Sequence, residues 1–172
     1  MNIIFDLGNV ILNWNTNDIL DSLNINNQER YLLKKELFGH QYWLDLDCGL
    51  ISEANVVTKV ANRSGLNTGI IRDALKAAKQ SLSQIPESIQ LLRDFNKAGM
   101  NIYCLSNMSV ETYNFIKAQD FFKFFKGIVI SGQERCMKPD AEIFNIILNR
   151  YDLNPSDTLF IDDCLPNIQT AI

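Results

Sequence analysis

Four places in the sequence put polar side chains at the end of a short apolar run or in the region that follows one. They are Asp6, Ser106 with Asn107, Lys138, and Asp162 with Asp163. The set holds carboxylates, a hydroxyl, an amide and an ammonium group, which together suit an oxyanion bound beside a hard cation such as Mg²⁺. In open α/β sheets ligands bind at the carboxyl ends of the strands, so acids at these points are candidates for chemistry.

Asp6 follows the apolar run of residues 3–5 and precedes a turn that contains Gly8. A short apolar run bounded by turn residues predicts a strand covered on both faces, with Asp6 at its carboxyl end. A carboxylate there can act as a nucleophile. The simpler alternative is that Asp6 only caps the next turn or helix.

The elements needed to position these residues alternate along the chain. Apolar runs predict strands over residues 3–5, 101–105, 127–131 and 158–161, and periodic segments predict helices over 87–98, 110–118 and 141–150. Strands that alternate with helices form parallel sheets with right-handed crossovers. The expected fold class is therefore α/β, a Rossmann-like parallel sheet with flanking helices whose strand ends share one edge.

The segment between the first and second strands is too long for a simple crossover and has only helical patterns, one of them over residues 70–78. We therefore expect a helical cap at residues 15–85, inserted into an α/β core made of residues 1–14 and 86–172.

Composition narrows the class of partner. The net charge of -4 disfavours nucleic acid, because phosphate backbones require a concentrated basic surface. The sequence also lacks a run of roughly 20 apolar residues that could span a membrane and a signal-peptide pattern, which predicts a cytoplasmic location. The four cysteines have no metal-ligand spacing and are expected to be free thiols.

Taken together and in order, these motifs resemble those of the haloacid dehalogenase-like superfamily of aspartate-nucleophile hydrolases. The resemblance covers nearly the whole chain, and the insertion after the first motif resembles that family's helical cap. The sequence FDLGNV, residues 5–10, is similar to the first motif of a subgroup of capped phosphatases that includes enzymes acting on sugar phosphates.

The resemblance implies a role for each matching residue. Asp6 would attack phosphorus and become an aspartyl phosphate, and Lys138 would neutralise charge on the nucleophile and on the transferring group. Ser106 and the backbone of Asn107 would bind the phosphate. The Mg²⁺ cofactor would be bound by Asp6, the carbonyl of Gly8, Asp163 and, through water or by orienting Lys138, Asp162.

The sequence departs from the family pattern at Gly8. Most phosphatases of the family have an aspartate there, which protonates the leaving oxygen and later activates water, and glycine cannot carry a proton. Positioned acid–base catalysis is worth ~10²–10⁴-fold, so alkoxide leaving groups should suffer most. Asp45 and Asp47, in the insertion, are candidates to replace the missing acid; the alternative is an ordinary helix end.

A second departure is that the sequence stops at Ile172, where family members continue with a helix and at least one more strand. The expectation is either a truncated protein or a smaller sheet that lacks the final strand. An exposed edge strand would need cover, for which a homodimer is one solution.

The expected function is a Mg²⁺-dependent phosphatase for a small phosphorylated metabolite. A catalytically impaired relative that binds phosphate, metal or a protein partner is the alternative, which Gly8 and the early stop favour. A 2-haloacid dehalogenase would use the same nucleophile without a metal, and the acidic pair at residues 162–163 disfavours it. A phospho-acceptor signalling domain would place its acidic pair after the first strand, which the order here disfavours.

Overall fold

The computed structural model describes all 172 residues and contains one four-stranded sheet. Its strands lie in the order β3-β2-β1-β4, and every neighbouring pair is parallel. The register pairs Phe5 of the first strand with Cys104 on one side and with Ile161 on the other. The strands are β1 (Asn2–Phe5), β2 (Asn101–Ser106), β3 (Gly127–Ile130) and β4 (Thr158–Ile161). The predicted α/β class and parallel sheet are confirmed.

Six helices lie between β1 and β2, and we call the first five the helical insertion. Capping side chains fix several of their starts: the Asn26 side chain accepts from the Glu29 N–H in a capping box, and Ser52 caps the fourth helix. These helices enclose a hydrophobic cluster of their own. They are α1 (Thr16–Asp21), α2 (Asn27–Leu33), which continues into a π-helical segment (Lys34–Phe38), α3 (Gln41–Asp47), α4 (Glu53–Ser64) and α5 (Thr68–Gln80).

The other helices flank the sheet. Alternating side chains of the central strands face opposite ways, so Phe5 packs into one hydrophobic cluster and Ile4 into another. The elements are α6 (Pro86–Lys97), α7 (Val110–Ile116), a 3₁₀ segment (Asp120–Phe124), α8 (Ser131–Glu134), α9 (Ala141–Arg150), a 3₁₀ turn (Pro155–Asp157) and α10 (Leu165–Ala171). Both faces of the sheet are therefore covered, as the apolar runs predict.

The structure moves some predicted boundaries. Ser131, predicted to end β3, instead begins α8, and Ser106 is the last residue of β2 rather than the first after it. The boundaries of a separate cap and core at residues 14–15 and 85–86 stay a prediction, as do the homodimer and the cytoplasmic location. None of the helices combines the length and the apolar character needed to cross a lipid bilayer.

Candidate active site

The predicted residues meet at the carboxyl edge of the sheet. Asp6 follows β1, Ser106 ends β2 and Asp162 follows β4, and the ammonium group of Lys138 joins two of them. Its Nζ lies 2.9 Å from Asp6 Oδ1 and 2.6 Å from Asp162 Oδ2. We call Asp6, Lys138, Asp162 and Asp163 the charged edge.

Lys138 is buried, with 2% of its surface exposed, so its charge must be compensated within the protein. Besides the two carboxylates, its Nζ donates to the carbonyl of Leu105 at 2.9 Å, so all three ammonium donors face acceptors. The backbone at Lys138 is fixed as well: its N–H donates to the side chain of Asn107, and that side chain donates back to the Lys138 carbonyl. The lysine is held in one position.

Asp162 has its hydrogen-bonding capacity filled. In addition to the Lys138 ammonium, it accepts from the backbone N–H of Cys164 at 2.8 Å and from the side-chain amide of Asn167 at 2.9 and 3.0 Å. Since its side chain is fully buried, these contacts fix its orientation. This arrangement suits the predicted role of orienting Lys138.

The carboxylates of Asp6, Asp162 and Asp163 form a group that could hold a cation, with ligand oxygens all within 4.8 Å of one another. Oxygens bound to one Mg²⁺ at ~2.0–2.1 Å are at most ~4.2 Å apart, so a small closure would bring all three to the ion. Asp163 is exposed, and its only hydrogen bond is a 3.3 Å contact from the Asn9 side chain. Asp6 Oδ1 is buried, and apart from the Lys138 ammonium group 2.9 Å away it has no partner. The residues present therefore fit a divalent cation.

Burial raises the pKa of Asp6, and the positive charge of Lys138 pulls it partly back. Attack on phosphorus requires the ionised carboxylate. The lysine therefore favours the reactive form, and a cation beside the same carboxylate would favour it further.

A cavity of about 120 Å³ opens beside Asp6. Its charged-edge side is made by Asp6, Gly8, Ser106 and Asn107, so the predicted nucleophile and phosphate-binding residues share one space. The other lining residues are mostly hydrophobic, and we call the hydrophobic ones the apolar wall. The apolar wall consists of Trp14, Trp43, Ala78, Leu82 and Met108.

The apolar wall is supported by aromatic rings that pack at tilted angles. Trp43 of α3 lies 5.5 Å from Trp14 and 5.0 Å from Phe38, measured between ring centroids. This packing joins the turn after β1 to the helical insertion. The insertion thereby closes over the carboxyl edge of the sheet.

The two candidate replacement acids are in different places. Asp47 lines the cavity, together with Thr112 and the apolar wall, whereas Asp45 does not. Asp45 instead accepts a hydrogen bond from the side chain of Gln41 one turn earlier in α3.

Three residues that support the site were not assigned a role from the sequence. Asn9, in the left-handed region at φ 52°, donates to Asp163 and accepts from the backbone of Trp14. Asn167 orients Asp162, and Trp14 forms part of the apolar wall. The sequence could have indicated the turn at Asn9, because asparagine tolerates the left-handed conformation, but its partner Asp163 lies far away in sequence.

The cysteines contribute no nucleophile. All four are free, as predicted, and burial raises the pKa of Cys136 to about 11 and raises that of Cys104 still further. Since the thiolate is the reactive form, these two thiols are inert at neutral pH.

Comparison with known proteins agrees with this geometry. The model of the family described as haloacid dehalogenase-like hydrolase matches residues 1–172. The curated relative named sesquiterpene phosphatase astK, from Aspergillus oryzae, is 25% identical over 171 residues, which are 98% of this chain and 83% of that protein.

Solved structures show the same fold. One is a HAD family enzyme from Bacteroides thetaiotaomicron, in complex with magnesium and inorganic phosphate, with a TM-score of 0.79, 20% identity, and coverage of 99% of this chain and 88% of that one. Another is L-2-haloacid dehalogenase from Xanthobacter autotrophicus, with chloropropionic acid covalently bound, at a TM-score of 0.70, 17% identity and coverage of 99% and 72%. The predicted sugar-phosphate subgroup stays a prediction. From its family match, its sheet and its site, the chain belongs to the haloacid dehalogenase-like hydrolases.

Proposed function

We propose that this hydrolase is a Mg²⁺-dependent phosphatase that acts on a small phosphorylated metabolite through an aspartyl phosphate on Asp6. The observation that carries the proposal is the charged edge, where a buried lysine joins Asp6 to Asp162 beside the exposed Asp163. A relative named as a phosphatase and a neighbour in complex with magnesium and phosphate support it.

In the proposed reaction a carboxylate oxygen of Asp6 attacks phosphorus and the bond from phosphorus to the leaving oxygen breaks. Ser106 and the backbone of Asn107 bind the phosphate oxygens at the end of β2. Lys138, held by Asp162 and by the Leu105 carbonyl, places its charge beside the nucleophile throughout. Water then hydrolyses the aspartyl phosphate, which restores Asp6 and releases inorganic phosphate.

The cation would be held by Asp6, Asp163 and the Gly8 carbonyl, with Asp162 close by. When bound, it would supply positive charge that offsets repulsion between the anionic nucleophile and the anionic substrate. Asp163 is the best direct ligand of the acidic pair, because Asp162 is already fully engaged by hydrogen-bond donors.

The cavity favours a small substrate with an apolar organic group. Its volume of about 120 Å³ lies well below the ~300–1,000 Å³ typical of pockets for drug-sized ligands. Beyond Asp6, Ser106 and Asn107, its polar lining residues are Asp47 and Thr112. A sugar would bury several hydroxyls without partners, which costs free energy for each one.

The set of three carboxylates also separates this proposal from dehalogenation. Displacement of halide by Asp6 needs no cation, so a cluster able to hold one would have no purpose there. Chloride release from 2-haloacids that is unaffected by a chelator would reverse this judgement.

A phosphate-release screen tests the proposal. Purified protein with Mg²⁺ is assayed on sugar phosphates, acyl phosphates, short alkyl phosphates and an aryl phosphate, with Asp6→Asn as the control. We expect turnover above the control, strongest on the small apolar esters. If no compound is turned over above the Asp6→Asn background, the enzyme proposal fails and the non-catalytic alternative, which Gly8 favours, replaces it.

A further inference from the structure

One carboxyl group in the cavity has no role in the chemistry described so far. Asp47, the last residue of α3, faces the same cavity as Asp6 and Gly8, although it belongs to the helical insertion. The position where most phosphatases of the family carry an acid is occupied by Gly8, which has no side chain. The cavity thus lacks a proton carrier on the β1 side and has a carboxyl group facing it from the insertion.

Contacts with the core fix the position of Asp47. Its Oδ1 accepts the backbone N–H of Ser109 at 3.1 Å, and its backbone carbonyl accepts the hydroxyl of the buried Ser131. Ser109 and Ser131 follow β2 and β3, so the sheet itself positions this residue of the insertion. Gly49 and Gly132 approach each other closely at the same junction. A Cβ on Gly49 would lie 2.1 Å from the Gly132 carbonyl, so a larger residue would collide there.

These contacts leave one carboxylate oxygen of Asp47 with no partner from Ser109. A carboxyl group has about four lone-pair sites, so one that accepts hydrogen bonds from the Ser109 N–H and the Trp43 side chain can still carry the proton that a general acid must give up. Apart from its two tryptophans, of which Trp43 hydrogen-bonds the Asp47 carboxyl group, the apolar wall consists of side chains without hydrogen-bond donors.

We propose that Asp47 is the general acid and base of the reaction and takes the place of the acid missing at Gly8. This inference rests on the proposed phosphatase function. As the bond from phosphorus to the leaving oxygen breaks, the protonated Asp47 gives its proton to that oxygen and the alcohol departs. The Asp47 carboxylate then takes a proton from the water that attacks the aspartyl phosphate, so Asp47 is protonated again and inorganic phosphate is released.

The environment of Asp47 favours the protonated form. Burial raises the pKa of Asp47 to about 7, while hydrogen bonds from the Ser109 backbone and the Trp43 side chain lower it only in part. No charged group contributes to this pKa. The ionisable residues on the elements packed against α3 are Lys34, Lys35 and Glu36 of the π-helical segment, Glu53, Lys59 and Arg63 of α4, and Glu134 of α8, with Asp6 across the cavity.

A comparison of Asp47→Asn with Asp45→Asn tests the inference. Asparagine keeps the acceptor for the Ser109 N–H but cannot give up a proton, and Asp45 lies on the same helix outside the cavity. We expect Asp47→Asn to reduce kcat/KM on alkyl phosphates by ~10²–10⁴-fold and on acyl or nitrophenyl phosphates by less than ~10-fold. Asp45→Asn should leave both unchanged.

A rescue variant completes the design. A Cβ built on Gly8 meets no atom within 4 Å, so an aspartate side chain can be introduced there. Gly8→Asp in the Asp47→Asn background should restore turnover of alkyl phosphates at least ~10-fold. The wild-type rate on alkyl phosphates should also fall as the pH rises above about 7, and this fall should be absent in Asp47→Asn.

The possible results distinguish a failure of the role of Asp47 from a failure of the phosphatase function. If the wild-type protein turns over substrates and Asp47→Asn loses nothing, or loses equally on good and poor leaving groups, the role of Asp47 as acid is wrong while the phosphatase function stands. If the folded wild-type protein turns over nothing with Mg²⁺ present, the phosphatase function fails and the role of Asp47 fails with it.

Discussion

The charged edge and the apolar wall meet at one cavity and are built by opposite means. The charged edge compensates every buried charge with a fixed partner, as Lys138 does with Asp6 and Asp162. The apolar wall contains rings and aliphatic side chains, with Asp47 the single carboxyl group beside them. Under the proposed function, the charged edge would carry out the phosphoryl chemistry, the apolar wall would contact the organic group, and Asp47 of the insertion would supply the proton.

The largest effect should come from removing the lysine of the charged edge. Lys138→Met leaves two buried carboxylates without their cation, and breaking a buried ion pair in this way costs ~3–5 kcal/mol of unfolding free energy. Phosphatase activity should be lost as well. Chemical denaturation measures the loss of stability.

The control for Lys138 is an exposed ion pair in the insertion. Arg30→Ala removes the partner of Asp21, and exposed pairs contribute at most ~1 kcal/mol. A Lys138→Met protein as stable as the Arg30→Ala protein would contradict the view that the charged edge depends on this lysine.

Removing the metal should have the next largest effect. Mg²⁺ at 100 times its Kd should stabilise the folded protein by ~2.7 kcal/mol, seen as a rise in Tm. Asp163→Asn should reduce that rise, while Asp73→Asn, an exposed change on α5, should not. A Tm that does not respond to Mg²⁺ in the wild-type protein would show that the charged edge binds no cation.

The pH dependence of the free energy of unfolding tests the pKa of Asp47, the carboxyl group beside the apolar wall, without any activity assay. Because the folded-state pKa of Asp47 is raised to about 7 from 3.8, the folded protein binds a proton that the unfolded chain releases. The stabilising contribution of Asp47 is therefore fully present below about pH 4 and is lost as the pH rises through about 7.

Urea denaturation of wild-type protein and Asp47→Asn across this range provides the measurement. The stability of the wild type relative to the variant should fall between about pH 4 and pH 8. If the difference in unfolding free energy between the two proteins stays constant with pH, the pKa of Asp47 is not raised.

The smallest effect should follow a change in the apolar wall that leaves the charges alone. Trp14→Phe removes part of an apolar surface, so KM for an alkyl or aryl phosphate should rise by ~3–10-fold with kcat little changed. Tyr31→Phe, an exposed change in the insertion, serves as the control. A fall in kcat without a change in KM would place Trp14 in the chemistry instead.

The sequence predicts the charged edge better than the apolar wall, for a physical reason. Apolar runs that end in Asp6 and Asp162 imply parallel strands, and parallel strands bring their carboxyl ends to one edge. The choice between Asp45 and Asp47 could not be made this way. Side chains two positions apart on a helix point ~200° away from each other around its axis. Only the tertiary packing decides which of the two faces the cavity.

Side-chain partners that join distant parts of the chain were equally beyond prediction. Asn107 was expected to contribute through its backbone, and its side chain is occupied in fixing the backbone of Lys138. Strand boundaries at Ser106 and Ser131 shifted by one residue, which is within the fraying expected at element ends.

The most direct test of the account is to trap the intermediate on Asp6. The protein is mixed with Mg²⁺ and the best substrate from the phosphate-release screen, quenched in acid during turnover, and digested for mass spectrometry. We expect phosphate on the peptide that contains Asp6, and none in the Asp6→Asn protein. Phosphate released by the wild type with no phosphorylated Asp6, or with phosphate on another residue, would contradict it.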